Sequence, residues 1–389
     1  MFNSSTLSNR KKKLNNTRSL AIMRNLHEPQ AANNVSTSNF NSDELSRHTS
    51  LKWFAALIYI LSGATQPLLV TLVKISGLGD HMCQLYMLMY YIGPAMVSFT
   101  LCLPSHGGMQ RVSSKAVLKA STIALIDIVA QTVNYTGATW AGPTIFAIIY
   151  SSVTIWTALY SRILLGRRLS LIQCIGILVV FGGLALTAID SVAVGPDVFK
   201  GSLLIIFGSS FHAMTYVLSE AIMTDGEQLT PQMNCAIQGG FASFIYLCWQ
   251  LIYTRNHFQE RVMVPMNAAG TSIPKAICVL SSLAVSNLIH ALSFFYTLKH
   301  YPGGATSAGV MKGLQAVLVF IFTSVVYCGW IGGDEMCFSA IKFVSLIVVI
   351  GGVAIFTVST NLNGSNQDTR DANKSLLPTS NGYTVVGNA

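Results

Sequence analysis

The sequence is short of charge: only 10% of its 389 residues are Asp, Glu, Lys or Arg, where a soluble domain carries about 25%. A soluble fold with a charged surface is therefore excluded. Other features are missing too. The eight Cys form no CxxC pair and have no His at metal-ligand spacing, so no metal and no cofactor are expected. No nucleophile-base constellation or phosphate-cradling loop stands out, which argues against an enzyme. No apolar run follows Met1, so no cleaved signal peptide is expected. Apart from residues 254–275, the connections between apolar runs are too short to hold a soluble domain.

Apolar residues dominate what is present, at 51% of the chain, and they come in unbroken runs. Ten such runs lie at about 53–74, 84–103, 117–137, 139–164, 169–189, 201–222, 232–253, 276–297, 303–328 and 338–360. Each approaches the ~20 residues that cross a bilayer core. A helix satisfies its own backbone groups in lipid, so the fold class is all-α integral membrane, with the lipid bilayer as its surroundings.

The net charge of +9 does not predict a nucleic-acid partner, because most Lys and Arg sort to one side of these spans. They fall in the tails and in alternate loops, which puts both termini in the cytoplasm. Arg255, Arg261 and Lys275 fall on the opposite side. Residues 1–50, rich in Asn and Ser with the run Arg10-Lys11-Lys12-Lys13, read as a disordered cytoplasmic tail, as do residues 362–389, where Leu376-Leu377 is a candidate sorting signal. Cys328 and Cys337 bracket the non-cytoplasmic stretch GWIGGDEM. They are placed either to pair in an oxidising lumen or to remain free thiols.

The chain repeats itself. Residues 135–190 form an apolar hairpin around the basic turn Gly166-Arg167-Arg168, and residues 296–360 echo it. Tyr135-Thr136 matches Tyr296-Thr297, Gly142 matches Gly303, and Ser151 falls on Lys312. The run Val179-Val180-Phe181-Gly182-Gly183 matches Val348-Val349-Ile350-Gly351-Gly352. One half is a diverged copy of the other, with a first repeat at 51–190 and a second at 191–361.

Polar residues inside the spans are the candidate site. Span one carries Ser62-Gly63-Ala64-Thr65-Gln66-Pro67 and span six carries Gly208-Ser209-Ser210 with His212. Helices broken at matched depths would mark a midplane site; close packing through small residues is the other reading. Asp127, Gln131 and Asn134, spaced four and three apart, share one helix face that Tyr135 flanks. A carboxylate at that depth costs roughly 2.5–3.5 kcal/mol, so the face should line a cavity or an interhelical network. Asn287, His290 and Ser293 give the same pattern in span eight. Lys312, with Gln315 on its face, suits an anionic group, for which Lys is a point charge; an ion pair with Asp127 is the alternative. Tyr135, Tyr150 and Tyr296 are candidates to stack on a base or ring. Lys342, near a helix start, reads as an interfacial anchor.

The turn Leu165-Gly166-Arg167-Arg168-Leu169, followed by Gln173, Gly176 and Gly183, resembles the drug/metabolite transporter superfamily. Within it the chain looks most like the nucleotide-sugar-transporter-like, EamA-like solute carriers. The resemblance implies ten transmembrane helices in two inverted five-helix repeats and alternating access to a small-molecule substrate. It further implies antiport of a nucleotide sugar against a nucleoside monophosphate in the Golgi or ER, with vacuole, lysosome or plasma membrane as other locations and a homodimer as a possible assembly. Of the Gly-Ala-Leu-Asn-Lys signature of GDP-sugar carriers, Val310-Met311-Lys312-Gly313 keeps only the Lys. Proton-linked movement of cationic or neutral metabolites, with Asp127 titrating, is the alternative transport reading. A membrane receptor or scaffold is the alternative of another class.

Overall fold

A computed structural model describes residues 34–101, 112–167, 169–224, 229–329, 337 and 339–376, and for 34–49, 100, 184, 187–194 and 360–376 the backbone alone. The Arg10–Lys13 run, Arg111, Arg168, Leu377 and residues 330–336 lie outside the described residues. The chain divides into two compact units, 1–51 and 52–389. The described part of the first is helical.

Eight helices among the described residues are long and apolar enough to cross a membrane: α1 (Ser50–Ile75), α3 (Ser114–Ala141), α4 (Pro143–Leu164), α6 (Pro196–Thr224), α7 (Pro231–Ala268), α8 (Ile273–His300), α9 (Gly304–Tyr327) and α10 (Ala340–Ser359). Two shorter apolar helices, α2 (Leu85–Phe99) and α5 (Leu171–Gly183), complete the series. Large apolar side chains project outward from them: Phe99, Leu171 and Val325 are each more than 70% exposed. In water that surface would be untenable; facing hydrocarbon it costs nothing.

Local sequence sets the helix ends. Ser170 caps α5: its hydroxyl accepts from the Gln173 N–H at 3.2 Å while Gln173 Oε1 accepts from the Ser170 N–H at 2.8 Å, a reciprocal capping box. Thr230 caps α7 through the Met233 N–H, with Pro231 at the first turn, where its missing N–H costs no bond.

Two expectations need correction. Helices α1 and α6 run unbroken through Ser62–Pro67 and Gly208–Ser210, because a helix can carry Pro67 where only one backbone bond is lost. The interruptions lie instead at Met96 in α2 and at Ser151-Ser152 in α4. The loop expected at 254–275 is mostly helix, since α7 continues through π-helical stretches at Gln250–Thr254 and Gln259–Met263. Helix also continues past residue 361, to Leu376.

Packing relies on small residues, as it must where apolar burial gives no net drive. A Cβ on Gly176 would stand 2.9 Å from the Gly352 carbonyl oxygen, and one on Gly352 2.7 Å from that of Gly176, so α5 and α10 touch backbone to backbone. Gly137 and Gly201 do the same for α3 and α6. One end of the bundle is tied by α7 to the residues after α1: Gln250 Nε2 and Thr254 Oγ1 donate to Cys83 O at 2.7 and 3.0 Å, and Arg261 pairs with Asp80 at 3.3 Å. Cys328 and Cys337 are joined as a disulfide.

Candidate functional site

Helices α2, α3, α4, α6, α7, α8 and α9 surround a cavity in the interior of the bundle. Its aromatic walls are Tyr90, Tyr91, Tyr150, Tyr216, Phe294 and Phe295; its polar groups include Asp127, Gln131, His212, Gln238, Asn287, His290 and Lys312. The space open to the centre of a water molecule is about 60 Å³, room for roughly four waters at ~15 Å³ each.

The polar groups fall into two clusters. On α3, the Asp127 carboxylate accepts the Tyr91 hydroxyl at 2.7 Å and lies 2.6 Å from His212 Nδ1. His212 Nε2 is 3.3 Å from the Gln131 amide nitrogen. The amide has only hydrogens to give there, so Nε2 accepts and Nδ1 carries the proton that Asp127 takes. The result is an ordered chain, Gln131 to His212 to Asp127, with Tyr91 closing it. The predicted face of α3 is therefore real for Asp127 and Gln131.

The second cluster joins α1, α8 and α9. Ser62 Oγ meets His290 Nδ1 at 3.1 Å, and Gln66 Nε2 donates to Asn287 Oδ1 at 2.5 Å. Gln315 Nε2 donates to the Tyr59 carbonyl at 2.9 Å. Between the clusters stands Lys312, 4% exposed. Its Nζ lies 5.3 Å from the Tyr59 ring centroid and 5.1 Å from that of Tyr150, within cation-π range. Among the described residues it makes no hydrogen bond and no salt bridge, so the predicted ion pair with Asp127 does not form. The carboxylate is taken by His212 and Tyr91 instead.

Lys312 and Tyr150 also line a smaller pocket, with Gln66, Tyr135 and Gln315, on their other side. These two residues are thus the partition between two spaces. Two predicted residues are brought to neither space. Asn134 is fully buried beside Gly208, and its amide has no hydrogen-bond partner among the described residues. Tyr296 stacks on His300, centroids 4.3 Å apart, near the end of α8. Lys342 is 6% exposed near the start of α10.

Sequence reasoning missed Tyr59, Tyr91 and Tyr216, whose positions in apolar runs carry no distinguishing pattern. It also missed Glu220, which had a signal: a carboxylate within an apolar span. Glu220 is 3% exposed and is bonded by the Arg167 guanidinium. Among the described residues, no cluster of three or more His, Cys, Asp or Glu is placed to hold a metal.

Residues 53–189 match the EamA-like transporter family. Solute carrier family 35 member F6 of Rattus norvegicus and of Homo sapiens are each 24% identical over 254 residues, covering 60% of this chain. The match spans 64% of those relatives' own length, less than two thirds. A protein of known crystal structure superposes with a TM-score of 0.54 at 16% identity, over 78% of this chain and 98% of its own, which is a likeness of fold. The chain is thus a multi-pass membrane protein whose residues 53–189 match an EamA-like transporter domain, and it is weakly homologous to solute carrier family 35 member F6, a solute carrier of the drug/metabolite transporter superfamily.

Proposed function

We propose that the protein is a secondary transporter that moves a small anionic organic metabolite across a membrane by alternating access, with Lys312 holding the anion. One observation carries this reading: a buried ammonium that makes no hydrogen bond or salt bridge among the described residues forms part of the wall of a cavity. Burying such a charge is costly unless a counter-charge arrives, and a bound anion supplies one. The rings of Tyr59 and Tyr150 hold the cation meanwhile, and Tyr150, in the cavity wall, offers an aromatic surface to a planar substrate group.

Two inverted five-helix repeats supply the motion. The helix pairing supports that arrangement: α2 meets α7, α4 meets α9 and α5 meets α10, each a helix against its counterpart. The α1–α8 bonds at Gln66–Asn287 and Ser62–His290 answer the α3–α6 contact. Such halves exchange conformations around a midplane site. A nucleotide sugar needs more room than the ~60 Å³ now open, since ligand pockets are about 300–1,000 Å³, so it would require a wider state. Both termini cytoplasmic and an endomembrane location remain part of the proposal.

The second reading, proton-linked movement of a cationic or neutral metabolite, is favoured by the Gln131–His212–Asp127 chain, a ready proton path. A thermal-stability screen of the purified protein in detergent separates the two, because a ligand that binds only the folded state raises the melting temperature. Nucleoside monophosphates, sugar phosphates, carboxylates and amines are the probes. A shift with an anion that Lys312→Gln removes is the expected result. A shift confined to amines or neutral compounds overturns the anion reading.

A further inference from the structure

The central cavity is smaller than a second space among the described residues. A second cavity between α1, α9 and α10 offers about 280 Å³ to the centre of a water molecule, against ~60 Å³ in the centre. The geometry points to this slot as a binding site for one acyl chain of a membrane lipid. The inference needs the chain to lie in a bilayer and nothing about the transported solute.

The lining excludes water. Two of its hydroxyls are already committed to their own backbone, Ser307 Oγ donating to Pro302 O at 2.6 Å and Thr357 Oγ1 to Val353 O at 2.9 Å. The side chains of the rest of the wall are apolar, save the Tyr301 hydroxyl and the Trp53 indole N–H at one end. A buried water needs two to four polar partners, and the slot does not provide them. Protein interiors also pack as densely as organic crystals, so a space of this size calls for an apolar occupant.

The shape selects a chain. Along α1 the wall runs from Trp53 to Ile60, and along α9 from Ser307 to Leu314, in each case roughly 10 Å of helix at about 1.5 Å per residue. The slot therefore lies parallel to the helices. At one end Trp53 and Tyr301 meet edge to face, centroids 5.5 Å apart, an aromatic pair of the kind that sits at headgroup level. Its rim is continuous with the hydrocarbon-facing surface through Leu57 and Leu314, both exposed. A lipid whose ester group sits near Tyr301 can thread its chain inward past Met311 to Phe356.

The test is photolabelling of the full-length protein in phosphatidylcholine vesicles doped with phosphatidylcholine carrying a mid-chain diazirine, with adducts mapped by peptide mass spectrometry. Ala56, Met311 and Phe356 are all under 10% exposed, so bulk lipid does not reach them, whereas Leu57 and Leu61 face outward. Adducts on Met311 and Phe356 are the expected result in the unmodified protein. Val310→Phe, which fills the slot, should cut those adducts at least about fivefold while leaving Leu57 labelled, because a packed interior admits no chain. Adducts confined to outward-facing residues in the unmodified protein overturn the proposal, whether or not the variant folds.

Discussion

Arg167 and Glu220 form a salt bridge between the turn after α4 and the end of α6. The same carboxylate accepts the Ala305 N–H at 2.8 Å, at the start of α9, and Arg167 also donates to the Gly303 carbonyl at 3.0 Å. Three segments from both halves of the sequence are therefore fastened through one buried acid.

The bridge is asymmetric, with the Arg167 side chain 39% exposed and that of Glu220 4%, and so is the predicted cost of breaking it. Arg167→Ala leaves a buried carboxylate unpaired and should cost about 1–3 kcal/mol, discounted for the exposed partner. Glu220→Gln removes the charge but keeps an acceptor for Ala305, and Arg167 can turn to water. Thermal melting in detergent should rank Arg167→Ala as the less stable of the two. The double variant should fall short of their sum, and strict additivity would show that the two residues act independently.

Lys312 should separate stability from transport. Its ammonium is buried with no carboxylate partner among the described residues, so Lys312→Met, of similar length and apolar, should raise stability by about 1–3 kcal/mol. The same variant should lose any anion-induced melting shift. A Lys312→Met protein that melts lower than its parent would mean that the ammonium has a partner in the folded state.

How much of this was legible beforehand follows from what helix periodicity can and cannot carry. The apolar runs placed most helices to within a few residues, though α7 continues to Ala268, and the spacing of Asp127 and Gln131 put both on the cavity wall. Periodicity fixes a face but not its depth, so Asn134, one turn further on, went to a tight contact with Gly208 instead. Tyr296 matched Tyr135 in the repeat yet stacks on His300, since the two copies have diverged in helix length and packing. The Lys312–Asp127 pair was plausible by charge alone; the His212 and Tyr91 bonds that pre-empt it depend on helix rotation. Gly176 and Gly183 were visible as a motif, and their role as the α5–α10 contact needed coordinates.

That contact makes a prediction of its own. Because Gly176 and Gly352 each face the other's carbonyl, Gly352→Ala must push α5 and α10 apart. Overpacking of this kind costs about 1–3 kcal/mol, measurable by melting. Gly351→Ala, whose Cβ would meet nothing within 4 Å, should be neutral or slightly stabilising, as expected for Gly to Ala in a helix.

The Cys328–Cys337 disulfide predicts that these two thiols resist alkylation in denaturant until a reductant is added, while Cys83, Cys174, Cys235, Cys248 and Cys278, which are free, react at once. Mass spectrometry of alkylated peptides reads this directly. Because structural disulfides persist in oxidising compartments, labelling of all of these cysteines without reductant would place this end of the bundle in a reducing one.

Asp127 tests which transport reading holds. Its carboxylate takes two buried donors, the Tyr91 hydroxyl and the His212 Nδ1–H. Asp127→Ala strands both, at about 1–3 kcal/mol each, so that variant should be markedly unstable and is uninformative about transport. Asp127→Asn keeps an acceptor for His212, and the Tyr91 hydroxyl can accept from the new amide, so it should fold with a much smaller loss. What it removes is the titratable proton. In reconstituted vesicles, an anion carrier that relies on Lys312 should keep most of its exchange activity with Asn at this position. A proton-linked carrier should lose proton-driven accumulation while retaining binding. Loss of accumulation in Asp127→Asn together with full activity in Lys312→Gln would therefore move the assignment from the lysine to the carboxylate.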